Sequence, residues 1–274
     1  LSASDHLELL YLDSELVAIN KPAGLLVHPS RIDRHERRTA MHLLRDQLGC
    51  RVYPLHRLDK PTSGALLFAR SKQAAARMGE RFGRGEVVKT YLAVVRGHTD
   101  SEGSIDHPLR EQADPMTDAR ACPDKGPQPA ITSYRRLATV ELPYPVPPHA
   151  TGRYSLLAVQ PQTGRKHQIR RHLKHIAHPV IGDTTHGKAD HNRLFRERLD
   201  NRRLLLAATE LRFPHPFSDR PCRIVAPLAR DFAELLGRLG WLQAVPAPWL
   251  PNDGHDAVIR DYPAPGSRPG TTDS

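Results

Sequence analysis

In the stretch HRLDKPTSG (residues 56–64), a single carboxylate, Asp59, lies two residues after Arg57 and directly before Lys60. A lone acid among cations either balances them or acts on something they attract. Several chemistries can be eliminated. A protein-kinase catalytic loop also begins His-Arg, but here Leu58 intervenes, and neither a Gly-rich phosphate loop nor an Asp-Phe-Gly triplet accompanies it. Ser63 as a nucleophile would need a G-x-S-x-G elbow, which is absent. Two readings are left. Either Asp59 and Thr62-Ser63-Gly64 form a polar turn ahead of a strand, or Asp59 is itself a nucleophile or base.

A second chemistry-bearing stretch is TGRKHQIRRHLKHIAHP (163–179). Its histidines, His167, His172, His175 and His178, suggest a metal cluster at first sight. Zinc, however, takes ligands from one face, commonly i and i+4 with a third elsewhere, and the surrounding Lys and Arg would repel a dication. No metal is expected. Ile169, Leu173 and Ile176 fall at helical spacing with Pro179 closing the segment, so the cations Lys166, Arg170, Arg171 and Lys174 ride on a helix.

The elements that must position these groups are partly legible. Residues 7–12 and 16–20 read as short strands around Asp13-Ser14, and ALLFAR (65–70) as a buried strand. Ser71 is placed to cap a helix running to about Phe82. The β-branched segments 87–97 and 153–161 read as strands, as do LLLAATELRF and RPCRIVAP, with an amphipathic helix over 228–240. Strands and helices mix without regular βαβ alternation, which predicts an α+β fold. Residues 111–130 and 142–152 read as loops. The Pro/Gly-rich stretch 244–274 reads as a disordered tail behind a single domain, 1–243.

Composition bounds the partners. The 274 residues carry 40 Lys and Arg against 30 Asp and Glu, a formal charge of +10, which favours polyanions such as nucleic acid. The three cysteines are scattered and no C-x-x-C occurs, so neither a disulfide framework nor a zinc site is indicated. No apolar run approaches the ~20 residues that span a bilayer. The first ten residues, LSASDHLELL, carry neither the basic nor the apolar region of a signal peptide. The expectation is a soluble, cytoplasmic protein with no membrane contact.

Taken in order, LVAINKPAGLLVHPS (16–30), HRLDKPTSG, KTYLAVVRG (89–97), TGRKHQIRRH (163–172) and HPVIGD (178–183) resemble the pseudouridine synthases of the RluA type, over roughly residues 7–240. The resemblance implies that family's catalytic fold, with a central, mixed but mostly antiparallel sheet flanked by helices and loops. It also implies isomerisation of uridine to pseudouridine in RNA without cofactor, metal or obligate protein partner. It assigns Asp59 as nucleophile or base, Tyr91 as the ring that packs on the target base, and Arg170 as the guanidinium that favours the ionised carboxylate. Arg57 would fill the space left by the flipped base. Lys60, Arg165, Lys166, Arg171 and Lys174, with Lys21 and Arg31 nearby, would meet RNA phosphates. The segment DKGPQPAITSYRRLATVELP (124–143) narrows the resemblance to tRNA-directed members, which act on uridine-65 of the T stem. No N-terminal RNA-binding domain of the S4 type is expected.

Two stretches depart from the family pattern. GDTTHG carries His186 where Tyr is usual, and LLLAATELRF carries Ala207 where a His-Ala pair is usual. Two other readings compete: an rRNA-directed synthase of the same family, and a non-catalytic basic RNA-binding protein.

Overall fold

The computed structural model describes residues 6–28, 38–110 and 126–251. Arg31, Cys122, most of the expected loop 111–130 and residues 252–274 lie outside them. The elements run β1 (Leu9–Leu12), β2 (Leu16–Lys21), α1 (Ala40–Leu48), β3 (Tyr53–Pro54), β4 (Ser63–Ala69), α2 (Lys72–Gly83) and β5 (Val88–Arg96). They continue with β6 (Glu102–Asp106), β7 (Ile131–Leu142), β8 (Gly152–Pro161), α3 (Gln168–His175), α4 (Ala189–Leu199), β9 (Leu206–Pro214), β10 (Pro221–Val225) and α5 (Arg230–Arg238).

The strands form one sheet in the order β1-β2-β4-β9-β5-β8-β7-β6, with β3 added to β4 and β10 to β9. Its pairings are antiparallel except β4 with β9, which run parallel through Ser63–Ala207 and Gly64–Ala208. Together with its helices, this is the expected α+β fold. Alternation along β5 shows why both faces must be covered. Tyr91, Ala93 and Val95 join one apolar cluster, whereas Leu92 and Val94 join another. Leu43 and Leu44 of α1 and Ile169 and Leu173 of α3 cap the first face. Leu194 and Phe195 of α4 and Phe232, Leu235 and Leu236 of α5 cap the second.

Local signals explain the predicted elements. Ser71 Oγ accepts from the Ala74 amide at 3.0 Å, the expected cap of α2. All seven residues of β4 are buried, which accounts for its uninterrupted apolar run. The elements the sequence reading missed have weak patterns. β7 (ITSYRRLATVEL) is mostly half-exposed and interleaved with charge, and α4 buries only Leu194 and Phe195.

The domain boundary at 243 needs correction. Val245 and Trp249 pack into the second cluster, and Trp249 accepts from the Leu228 amide at 2.8 Å and donates its indole N–H to Glu210. Proline lacks a donor to satisfy, so a Pro-rich segment anchored by an aromatic ring can still pack.

Where β4 meets β9, the chain needs glycine. Gly64 has φ +111°, and a Cβ there would lie 2.1 Å from the Ala208 carbonyl oxygen. Gly64→Ala is therefore expected to cost about 3 kcal/mol or more. Gly79→Ala, in open space on α2, should gain up to about 1 kcal/mol. Denaturant midpoints of the two variants check both signs.

Candidate active site

Asp59 sits on the loop between β3 and β4, and backbone bonds on both sides fix that loop. The Thr62 amide donates to the Asp59 carbonyl at 2.9 Å, closing a turn. The Lys60 carbonyl accepts from the Gly24 amide at 2.8 Å and from Lys21 Nζ at 3.2 Å. Lys21 Nζ also donates to the carbonyls of Pro22 at 2.9 Å and Leu25 at 2.8 Å. Lys21 is fully buried, and burial lowers its pKa to about 7. The expectation that Lys21 meets RNA phosphate is therefore corrected: its ammonium ties the loop after β2 to the backbone beside Asp59.

A second scaffold brings in Arg170. Gln168 pins the turn ahead of α3, its Oε1 accepting from Thr163 Oγ1 at 2.7 Å and the Arg165 amide at 3.0 Å. Its Nε2 donates to the Ile131 carbonyl at 2.9 Å and to Thr132 Oγ1 at 3.0 Å. Arg170 then projects inward, only 4% exposed. Its Nη1 donates to Asp59 Oδ2 at 2.9 Å, while Nε and Nη2 fork onto Asp183 at 2.7 and 2.8 Å.

Asp183, buried on the turn before α4, also accepts from the Thr185 and His186 amides at 2.9 Å each. Burial acts to raise its pKa, but Arg170 and these two amides outweigh it, and the net shift is downward. Arg170 shifts upward, burial being overcome by the two carboxylates. The sequence reading missed Asp183, although the Gly-Asp of HPVIGD was in view. Gly182, at φ +80° and with a would-be Cβ 1.9 Å from the Arg203 carbonyl oxygen, marks that turn as tightly built.

Tyr91 comes from β5, on the other side of the sheet's parallel seam. It is 7% exposed, and burial, with the Asp59 charge second, pushes its phenol pKa upward, so the hydroxyl keeps its proton. Asp59, Tyr91 and Arg170 line one cavity of about 370 Å³. Arg57, Arg165 and Lys166 line the same cavity. Lys60, Arg171 and Lys174 do not: Lys60 lines a neighbouring cavity with Leu26 and Asn20, Lys174 is exposed, and Arg171 donates to the Arg110 carbonyl at 3.0 Å.

The cavity also holds Lys89 and His56, which the sequence reading does not single out, and His167, which it weighs only as a metal ligand. Lys89, two residues before Tyr91 on the same strand, is partly buried, which lowers its pKa. His56 accepts from the Leu67 amide at 3.1 Å, and burial, then the Lys89 charge, lowers its pKa to about 3. His167 is close to Asp59, with Nε2 3.9 Å from Oδ1.

The remaining histidines of the stretch are engaged elsewhere. His172 bridges Thr132 Oγ1 and the His107 carbonyl, His175 stacks on His107 at 3.7 Å, and His178 bonds the Arg96 carbonyl. Among the described residues no three His, Cys, Asp or Glu converge as a metal site would require, and no helix is long and apolar enough to cross a membrane.

The RNA pseudouridylate synthase family model matches residues 15–175, the span from β2 to the end of α3. This chain belongs to that family. Its fold, with the Asp59 loop, the Tyr91 strand and the Arg170 helix around one cavity, is that of a pseudouridine synthase, an isomerase. The tRNA pseudouridine synthase C of Vibrio cholerae is 51% identical over 239 residues, covering 87% of this chain and 98% of that protein. The protein of the same name from Pasteurella multocida is 48% identical over 235 residues, covering 86% and 97%. The solved structure of human RNA Pseudouridylate Synthase Domain Containing 1 aligns with a TM-score of 0.64 at 26% identity, covering 90% of this chain and 98% of that one. Human RNA Pseudouridylate Synthase Domain Containing 4 gives 0.64 at 28% identity, covering 85% and 93%.

In this synthase the Arg170–Asp183 pair is a buried fork, so removing one member strands the other. Asp183→Asn is expected to destabilise the fold by about 3 kcal/mol, because Arg170 loses its compensating charge. Asp183 has a depressed pKa when folded, so its contribution is complete above the ordinary carboxylate value of about 3.9 and is lost as pH falls below it. Denaturation midpoints at pH 7 and pH 3 should therefore differ less in Asp183→Asn than in wild type.

Proposed function

We propose that this synthase converts uridine to pseudouridine in tRNA, at uridine-65 of the T stem, with Asp59 as the reacting carboxylate. The observation that carries the reading is the placement of Asp59 as the lone acid, among the described residues, lining a cavity otherwise rich in cations, with Tyr91 in the same wall. The relatives named tRNA pseudouridine synthase C support tRNA as the substrate. A cytoplasmic location, and independence from cofactors and obligate protein partners, belong to the same reading.

The isomerisation breaks the N1–C1′ bond, forms C5–C1′, and moves a proton from C5 to N1, with no change of oxidation state. It needs a carboxylate beside the anomeric carbon and uracil ring, and a site that holds the base out of the helix. Extruding a paired base costs a few kcal/mol. In this reading Tyr91 recovers part of that cost by packing on uracil, and Arg57 fills the vacated space. Arg170 engages Asp59 Oδ2, and Oδ1 accepts no hydrogen bond among the described residues, leaving it open to substrate. Whether Asp59 attacks the base, attacks the sugar or removes the proton, the same oxygen serves. Lys60, Arg165, Lys166, Arg171 and Lys174 meet phosphates, and shape carries most of the recognition of an A-form stem.

Asp59→Asn and Asp59→Ala are expected to bind tRNA but form no pseudouridine; normal product from both would overturn the reading. Carbodiimide primer extension on RNA from a deletion strain should lose the stop at uridine-65 of tRNA, whereas a loss confined to rRNA would favour the rRNA-directed alternative. Charge reversal at Arg171 and Lys174 should weaken tRNA binding and flatten its salt dependence, by roughly one unit of log–log slope per lost phosphate contact.

A further inference from the structure

His186 stands on the turn that carries Asp183, and that turn leaves it little freedom. The Gly187 amide donates to the Asp183 carbonyl at 3.1 Å, and Asn192 bridges the turn, accepting from the Gly182 amide at 2.8 Å and donating to the Asp183 carbonyl at 2.9 Å. A Cβ at Gly187 would lie 2.1 Å from the Asp183 carbonyl oxygen. The His186 ring, 7% exposed, meets His167 edge-on, with Nε2 2.9 Å from His167 Nδ1. His167 opens α3 at φ 54°, and its other nitrogen, Nε2, lies 3.9 Å from Asp59 Oδ1.

One proton lies in the 2.9 Å contact between the two rings, and the Asp59 carboxylate favours the direction in which His186 donates it. A neutral His167 presents either an N–H or a lone pair to a carboxylate oxygen, and only the N–H is attractive. With the proton on Nε2, His167 Nδ1 must accept, so His186 Nε2 must donate. The charged or titratable groups around His167 are Asp59, Arg170, Lys166 and Asp183; those around His186 are Asp183, Arg170, His167 and Lys174. Burial is the largest influence on both rings and lowers both pKa values, so the pair is neutral at neutral pH.

We propose that His186 is a positioning residue for the reaction at Asp59: it holds His167 in the tautomer whose Nε2–H faces the carboxylate oxygen that Arg170 leaves free. The proposal rests on the reading of Asp59 as the reacting group. The carboxylate is then held between a guanidinium on Oδ2 and an imidazole near Oδ1, and its approach to substrate has a defined orientation.

Imidazole ¹⁵N shifts of ring-labelled protein at pH 7.5 test the tautomer directly, and are expected to show a pyridine-type Nδ1 and a protonated Nε2 for His167. In His186→Ala the same ring should show mixed tautomers. Single-turnover conversion of tRNA should slow about 10-fold or more in His186→Ala, with tRNA affinity held within about twofold, because a misoriented group costs rate rather than binding. His186→Gln, whose amide N–H can donate toward Nδ1, should recover most of the rate. A protonated Nδ1 on His167, equal rates for the Ala and Gln variants, or a loss seen only in affinity would each overturn the proposal while wild type remained active. A wild-type protein that forms no pseudouridine would bring down the functional reading and this proposal together.

Discussion

One guanidinium organises the site. Arg170 divides its donors between two carboxylates, two to Asp183 and one to Asp59, and the three groups come from three separate segments of chain. Burying an isolated guanidinium or carboxylate would cost several kcal/mol, so each member is tolerable only while the others are in place. Asp183 completes its own valence with two backbone amides and is the fixed end of the ladder. Asp59 has one oxygen on Arg170, its side chain is about a quarter exposed, and it is the end that faces the cavity. A buried, fully bonded acid can hold the cation while a partly open one leaves an oxygen without a hydrogen bond, among the described residues, toward the cavity.

The ladder works only because the two halves of the sheet are joined at one register. β1, β2 and β4 carry the Asp59 loop; β5, β8, β7 and β6 carry Tyr91 and support α3. The join is β9, parallel to β4 and antiparallel to β5, and Tyr91 pairs with the same Ala208 that Gly64 approaches. The glycine that ends the motif HRLDKPTSG thus sets the distance between the halves. A side chain there would push β4 away from β9 and open the gap between Asp59 and Tyr91. Lys21, three carbonyls on one ammonium, sets the loop from the other side. A neutral amine has only two N–H donors, so its charged form is the one that fits all three acceptors.

What the sequence made legible follows from locality. The Ser71 cap, the apolar run of β4 and the alternation of β5 are properties of a few consecutive residues, and they were read correctly. α1, α4 and β7 were not, because their apolar positions are few and their partners distant. Lys21 looked like one more surface cation, since nothing local shows that three carbonyls will converge on it. Asp183 was visible only as part of a turn, because its value lies in Arg170, thirteen residues away along the chain and across the site. His186 stood out as a departure from pattern, but its partner His167 was weighed only as a metal ligand and set aside. Trp249 was lost to composition: a Pro-rich stretch reads as disorder until a ring is seen to fill a groove.

Sequence neighbours also mislead about charge. Arg57 and Lys60 flank Asp59, and the local reading makes it their counter-ion. Among the described residues neither forms an ion pair with it; its partner is Arg170, 111 positions away. The geometry explains the separation. The Asp59–Thr62 turn and the Lys21 clamp fix the backbone at the exposed Lys60, while Asp59 faces the cavity. The flanking cations are thereby not neutralised by the acid between them. If Asp59 were bonded to Arg57 or Lys60, any anion approaching those cations would have to compete with that pair. Pairing the carboxylate with a buried arginine instead of its sequence neighbours removes that competition within one nine-residue motif.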